Sequence, residues 1–328
     1  MNNPMFAAAR MVWPMVSREE ELKQLKEAMC RPGRDTRVVI VKGRGGLGKT
    51  RLLHEALARA GHPDIRPAGK PLPSDELWKE REGIIVSDLL DFTEVRLHTS
   101  RHFMEALRNA LYWHEKVEFP NYDAAITYYK RKLKDQADFF TVKEAADRAD
   151  EAFLEDYEQL TKAYRLVWAL DTAEQLQFVS APWLLEKGLL SLDDLNFSTQ
   201  QRIFELLSEG RLPNTTLLVV GRPEAEAFFS RLEQMAREEE SHFELQTIEL
   251  RPFNVEDIQT YLDRLADGYQ NQAEYDEAIA DTLRAMAKDE ERAEVLHLYT
   301  GGQPVRLALF ADVLAEGKQE PEALQDTL

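Results

Sequence analysis

Cysteine is almost absent from this chain, since Cys30 is the single one among 328 residues. A disulfide framework is therefore excluded, and a cytoplasmic location fits best. No uninterrupted apolar run approaches the ~20 residues that a membrane-spanning helix needs. The N-terminal stretch lacks the basic leader and apolar core of a signal peptide. We interpret residues 1–14 as an extended lead-in and expect no membrane partner.

Basic residues are also scarce relative to acidic ones, at 41 against 59, which gives a net charge of −18. This balance argues against a broad nucleic-acid surface, because phosphate backbones require clustered Lys and Arg. Nucleic acid is thus an unlikely partner, although the composition leaves room for a local basic patch. The apolar fraction of 44% is typical of a globular protein, and the length suggests about two domains.

Five short runs, each apolar and rich in β-branched or aromatic residues, predict strands separated by helical patterns. They cover 37–42, 83–88, 166–171, 215–221 and 244–250. Strands that alternate with helices indicate βαβ units and a parallel sheet. We therefore predict an α/β fold with a five-stranded parallel sheet over residues 15–251, with a helical insertion at about 99–160.

A second, purely helical pattern begins after the last predicted strand and runs over residues 252–328. Asn254 with Asp257 predicts a helix start there. Ser17 with Glu20 predicts a capping box for an earlier helix, ahead of the first strand. The chain thus divides into a lead-in, a sheet domain and a small α-helical lid domain.

The glycines concentrate in one place, the segment GRGGLGKT between the first strand and the following helix. It matches the eight-residue P-loop pattern, in which bare backbone N–H groups wrap a polyphosphate and side chains would collide with it. Lys49 can reach the outer phosphates, and the Thr50 hydroxyl can bind Mg²⁺. We expect nucleotide contacts from Gly43, Gly45, Gly46, Leu47, Gly48, Lys49, Thr50 and Arg51. ATP or ADP with Mg²⁺ is the predicted ligand.

The strand LVWALD ends at Asp171, which is the candidate second ligand for Mg²⁺. Many P-loop ATPases carry a glutamate directly after this aspartate, but Thr172 occupies that position here. Glu174, three residues past Asp171, has two interpretations. It is either the base that orients the attacking water or a favourable charge at the start of the next helix. In the second case hydrolysis is slow.

Another strand, TLLVVG, is followed by Arg222. Parallel sheets bind ligands at the carboxyl ends of their strands. Arg222 is therefore expected on the same rim as Lys49 and Asp171. There it either contacts the terminal phosphate or is an ordinary solvent-facing arginine.

These segments together resemble the STAND signalling ATPases, relatives of AAA+ ATPases that include NACHT and NB-ARC proteins. MVSREEELKQL is similar to an element that flanks the adenine in that family, with Ser17 in place of the usual glycine. IELRPFNVEDIQTYL resembles the start of the family's lid domain, and YTGGQPVRLAL resembles its GGxPLAL motif. The likeness implies a sheet order of 5-1-4-3-2.

The same likeness assigns roles to individual residues. It implies that Val16 and Arg18 flank the base, that Pro304 closes over it, and that Arg222 reads the γ-phosphate. Relatives usually continue into further domains beyond the lid, so the chain resembles an excised or minimal module of a longer parent. Self-association, or effector and sensor domains of such a parent, are the partners it implies. No arginine finger is identified.

The leading functional hypothesis is a signalling switch, in which ADP holds the lid closed and ATP exchange favours assembly, with slow Mg²⁺-dependent hydrolysis. The first alternative is a DNA-loading AAA+ ATPase of the initiator type, which salt-dependent DNA binding would support. The second is a P-loop kinase for a small molecule, which metabolite-stimulated ATP turnover would support.

Overall fold

The computed structural model describes residues 15–66, 72–177, 198–270 and 277–315. The predicted lead-in at 1–14 and the last residues of the predicted lid lie outside these ranges. The strands are β1 Thr36–Lys42, β2 Ile84–Asp91, β3 Arg165–Asp171, β4 Thr215–Gly221 and β5 Phe243–Glu249. The helices before β4 are α1 Glu19–Cys30, α2 Lys49–Arg59, α3 Ser100–Leu111, α4 Pro120–Lys134, α5 Phe139–Ala163 and α6 Thr199–Ser208. Those after β4 are α7 Glu226–Ala236, α8 Val255–Gln270, α9 Glu277–Ala287, α10 Glu290–Thr300 and α11 Pro304–Ala315.

The five strands form one parallel sheet in the order β2-β3-β4-β1-β5. This confirms the predicted α/β fold and the implied order 5-1-4-3-2. All residues of β3 and β4 are buried, as expected where helices cover both faces of a parallel sheet. The carboxyl ends of β1, β3 and β4 consequently meet along one rim.

The strand boundaries agree with the predicted ones within one residue, except at β2. That strand was expected to stop at Asp88, but it continues to Asp91 across a shift in register between Val86 and Leu89. Within this irregularity the Ser87 hydroxyl accepts the N–H of Ala169 at 3.0 Å. A side-chain oxygen thus replaces a backbone partner, which keeps the strand paired despite its polar residues.

The predicted insertion is helical, as α3, α4 and α5. Helices α4 and α5 form a hairpin whose base packs on the sheet through stacked rings. Phe119 stacks on Phe153 with 5.1 Å between ring centroids, and Tyr157 meets Trp168 of β3 edge-on at 5.3 Å. None of the helices in the described part of the chain is both long and apolar enough to cross a bilayer.

The helices α8 to α11 bury their own apolar cluster, separate from the two clusters that line the faces of the sheet. The predicted helix start after β5 is confirmed. The Asn254 N–H donates to the Asp257 carboxylate at 2.9 Å, and the Asp257 N–H donates to the Asn254 side-chain oxygen at 2.8 Å. This reciprocal cap satisfies two donors at the beginning of α8.

The capping box predicted from Ser17 and Glu20 is wrong. Helix α1 begins at Glu19 with Arg18 at the cap position, and no side chain caps it. The reason is the backbone of Ser17, which has a φ of +51° and therefore turns the chain away from capping geometry. This left-handed conformation also explains why glycine suits that position in the family that the chain resembles.

Candidate functional site

The glycine-rich loop leaves the end of β1 and enters α2, with Gly48 at the N-terminal cap of that helix. Gly46 and Gly48 have φ values of +79° and +87°, a region that glycine adopts without steric cost. A Cβ at Gly43 would lie 3.2 Å from both the Cβ and the carbonyl oxygen of Leu250. The loop therefore needs glycine for conformation at two positions and for close packing at a third.

Lys49 folds its side chain back over this loop. Its ammonium group donates to the carbonyl oxygens of Gly43 at 2.8 Å and Arg44 at 3.0 Å. Burial lowers the pKa of Lys49, while the nearby charges of Glu174 and Asp171 oppose that shift. The cation is thus held at the mouth of the loop, and an anionic ligand there would favour its charged form.

Thr50 and Asp171 meet directly, because the first turn of α2 and the end of β3 lie on the same rim. The Thr50 hydroxyl donates to the Asp171 carboxylate at 2.6 Å, and the Thr172 N–H donates to the other oxygen at 2.8 Å. Burial raises the pKa of Asp171, and the Thr50 hydrogen bond opposes that shift. Two hard oxygen donors therefore stand side by side, a set that fits Mg²⁺.

No group of three or more His, Cys, Asp or Glu side chains able to hold a metal occurs within the described ranges. The Thr50 hydroxyl and the Asp171 carboxylate fit a Mg²⁺ that the ligand also binds, since Mg²⁺ is typically held by one or two carboxylates plus substrate phosphates and water.

Glu174 and Arg222 are also brought together. The Arg222 N–H donates to one oxygen of Glu174 at 3.0 Å, and its guanidinium Nε lies 3.1 Å from the other. Glu174 lies in a short 3-10 helix, Ala173–Gln177, and is buried, whereas the guanidinium is about half exposed. Glu174 thus lies in the first turn of a helix, as one of its two interpretations expected, and the contact with Arg222 comes in addition; that it acts as a base stays a prediction.

The lid domain closes one side of the site. The Val305 N–H donates to the carbonyl oxygen of Gly46 at 3.3 Å, and the Phe253 N–H donates to the carbonyl oxygen of Gly302 at 2.8 Å. A Cβ at Gly46 would lie 2.4 Å from a methyl carbon of Val305. Val305, directly after the GGQP segment, therefore packs against the loop at a position where glycine has no side chain.

Together these groups enclose a cavity of about 280 Å³. Its lining is Gly45, Gly46, Gly48, Lys49, Thr50, Arg51, Asp171, Thr172, Glu174, Arg222, Tyr261, Pro304 and Val305. The predicted phosphate, metal and lid residues thus converge on one space. Thr172, Tyr261 and Val305 were not predicted as contact residues; Thr172 and Val305 had a local signal, as the neighbours of Asp171 and Pro304, whereas Tyr261 had none.

Four predicted contact residues are not part of that lining. Gly43 and Leu47 are buried residues of the loop itself. Val16 is buried in the apolar cluster of the lid helices. Arg18 lies between loop and lid, where its guanidinium donates to the carbonyl oxygen of Arg251 at 2.7 Å and to that of Leu47 at 3.4 Å. That Val16 and Arg18 flank a base stays a prediction.

No protein-family model and no curated protein matches the chain. Among solved structures it is similar to Drosophila ORC bound to DNA, with 14% identity over 94% of this chain and 63% of that one, and a TM-score of 0.46. It is also similar to the Aeropyrum pernix ORC2 protein in ADPNP–ADP complexes, with 14% identity over 94% of this chain, 66% of that one and a TM-score of 0.48. The chain thus spans about two thirds of the length of these structures.

Proposed function

We propose that the chain is an ATP- and ADP-binding ATPase module of the AAA+ and STAND class, whose lid responds to the bound nucleotide. The observation that carries this proposal is the convergence of Lys49, the Thr50–Asp171 pair and the docked lid residue Val305 on one cavity. A cation, a hard-oxygen pair and bare loop amides are the groups that a polyphosphate with Mg²⁺ requires.

Each residue has a defined role in this proposal. The loop amides and Lys49 hold the phosphates, while Thr50 and Asp171 hold Mg²⁺, which when bound neutralises charge on the phosphate oxygens. Pro304 and Val305 bring the lid against the nucleotide. We expect hydrolysis to be slow, because Thr172 stands where many relatives have a glutamate and both oxygens of Glu174 contact Arg222.

Calorimetric titration with ATP and with ADP, each with and without Mg²⁺, tests the proposal on the full chain. Because a tightly held nucleotide would mask binding, the purified protein is also denatured and any released nucleotide is identified by chromatography. Heat of binding, or co-purified ADP, is the expected result. No heat together with no retained nucleotide would overturn the proposal.

The finer role that we propose for this module is a cytoplasmic signalling switch. The Val305 N–H ties the lid to the carbonyl oxygen of Gly46 in the phosphate loop, so a ligand beneath the lid can bias its position. Such a bias requires that the ligand bind the two lid positions with different affinity. Size-exclusion chromatography with light scattering, in ADP and in a non-hydrolysable ATP analogue, is expected to show two masses or shapes. Identical profiles would count against the switch.

A DNA-loading ATPase of the initiator type is the second candidate, and a local basic patch favours it. The patch comprises Lys130, Arg131, Lys132 and Lys134 at the end of α4, all at least partly exposed. The cationic groups of Arg131 and Lys132 lie over the Tyr128 ring, at 5.3 and 5.2 Å from its centroid. The overall net charge of −18 argues against a broad nucleic-acid surface but leaves room for a local patch of this kind.

Salt-dependent binding to duplex DNA, measured by fluorescence anisotropy, tests the second candidate. Reversal of charge at Arg131 and Lys134 is expected to weaken binding and to flatten its salt dependence. Reversal at Lys23, an exposed residue of α1, is the matched control. Absence of binding at low salt would remove this candidate and leave the signalling proposal intact.

A further inference from the structure

The contact between Glu174 and Arg222 assigns a role to Glu174 that differs from a catalytic base. One carboxylate engages both the backbone N–H and the guanidinium of the same arginine, at 3.0 and 3.1 Å. A base that activates water needs an oxygen directed at that water. Here each oxygen already faces a donor of Arg222, so the geometry is that of a carboxylate that positions an arginine.

The chain is shaped locally to make this contact. Thr172 has a φ of +61°, an unfavourable conformation for a β-branched residue, and the following turn is closed by a hydrogen bond from the Gln175 N–H to the Thr172 carbonyl. This turn directs Glu174 back under the end of β4. A Cβ at Gly221 would lie 3.2 Å from the nearer Glu174 oxygen and 2.9 Å from Phe229, so glycine leaves the carboxylate room.

The side chains of Glu174 and Arg222 differ in their exposure to solvent. The Glu174 side chain is 7% exposed, whereas that of Arg222 is 55% exposed and borders the cavity. The guanidinium also packs against the phosphate loop, since a Cβ built on Gly45 would lie 3.5 Å from its central carbon. The carboxylate is therefore buried with both oxygens in contact with Arg222, and the guanidinium lies within reach of a phosphate group at the end of the loop.

We propose that Glu174 is a positioning residue that holds Arg222 as a sensor of the terminal phosphate. With a diphosphate in the cavity, the guanidinium stays paired with Glu174. With a triphosphate, the terminal phosphate competes with the carboxylate for the guanidinium, while the Arg222 N–H keeps Glu174 in place. The pair thus weakens ATP binding relative to ADP binding. This inference rests on the proposed nucleotide-binding function.

The test is the ratio of ADP to ATP dissociation constants, measured on the full chain by competition with a fluorescent nucleotide. Glu174→Gln keeps the size of the side chain and an oxygen for the Arg222 N–H but removes the charge. We expect it to raise the preference for a non-hydrolysable ATP analogue over ADP by about twofold to fivefold, since an ion pair whose cation is about half exposed contributes modestly. In an Arg222→Gln background the same substitution is expected to change nothing.

Two further variants serve as a control and as a replacement in this test. Glu226→Gln removes a carboxylate from α7 that contacts Ser230, so it controls for a general change in charge. If Glu174→Gln does not fold, Glu174→Asp replaces it. This variant keeps the charge but shortens the side chain by one methylene, and it is expected to shift the nucleotide preference in the same direction.

The outcomes separate the inference from the proposed function. An unchanged ratio of ADP to ATP dissociation constants in Glu174→Gln would overturn the inference. If turnover in that variant also fell a hundredfold or more, Glu174 would be the catalytic base. An equal shift with and without Arg222 would also overturn the inference. Failure of the unaltered chain to bind either nucleotide would instead remove the proposed function, and with it the inference.

Discussion

The backbone N–H of Val305 lies 3.3 Å from the carbonyl oxygen of Gly46, so the first turn of α11 is hydrogen-bonded to the phosphate loop. These two residues are 259 positions apart in the chain, by subtraction of their numbers. The contact makes the lid part of the site. It also places Gly46, the loop glycine with the least room for a Cβ, beneath the lid.

Gly46→Ala is therefore expected to loosen the lid. The new Cβ would lie 2.4 Å from a Val305 methyl carbon and would also have to adopt a φ of +79°. Overpacking of this kind costs about 1–3 kcal/mol, in addition to about 1–2 kcal/mol for the left-handed backbone. Chemical denaturation and limited proteolysis between β5 and α8 measure the effect.

Gly48→Ala is the matched control for that substitution. Gly48 has a φ of +87° but no neighbour within 4 Å of an added Cβ, so only the backbone term applies. Equal destabilisation and equal proteolysis in both variants would show that lid contact does not limit the choice of residue at Gly46.

Lys49→Ala is expected to weaken ATP and ADP binding by about ten- to a hundredfold, because it removes a charge-assisted contact of about 1.5–3 kcal/mol. Calorimetric titration measures the loss. Lys26→Ala serves as control, since Lys26 lies on α1 and pairs with Glu80 at the surface. If Lys49→Ala binds as tightly as the unaltered chain, the loop does not hold the phosphates.

Asp171→Asn is expected to abolish Mg²⁺-dependent turnover while nucleotide still binds. A neutral amide is a poor ligand for Mg²⁺, and its NH₂ group cannot accept the Thr50 hydrogen bond. Phosphate release and ATP affinity are measured as a function of Mg²⁺ concentration. Asp91→Asn at the end of the neighbouring strand is the control and should retain the Mg²⁺ dependence. Unimpaired turnover in Asp171→Asn would place the metal elsewhere.

Pro304→Ala is expected to reduce the preference for ATP over GTP, since Pro304 lines the cavity on the lid side and is predicted to pack on the base. Competition binding with both nucleotides measures the ratio. Pro120→Ala is a suitable control because Pro120, like Pro304, is the first residue of a helix but lies in the insertion. An unchanged ratio in Pro304→Ala would remove that residue from the base pocket.

Much of the fold could be predicted because its signals are local. Strands β1 and β4 each contain a run of four apolar residues, VVIV and LLVV, and the P-loop is a pattern of eight neighbouring residues. Asn254 and Asp257 are a local capping pattern that likewise predicts the start of α8. The predicted end of β2 was wrong because a polar residue, Ser87, takes a place in the ladder that is normally filled by a backbone group.

The sequence by itself thus determined the individual strands, the phosphate loop and the acidic strand end at Asp171, since each depends on the conformations of adjacent residues. Only the tertiary structure decided that Glu174 pairs with Arg222 and that Tyr261 and Val305 complete the cavity. Those contacts join segments distant in the chain, and they arise from the packing of β3 beside β4 and of the lid against the loop. No local spacing of residues encodes such contacts, because they depend on the relative placement of whole elements.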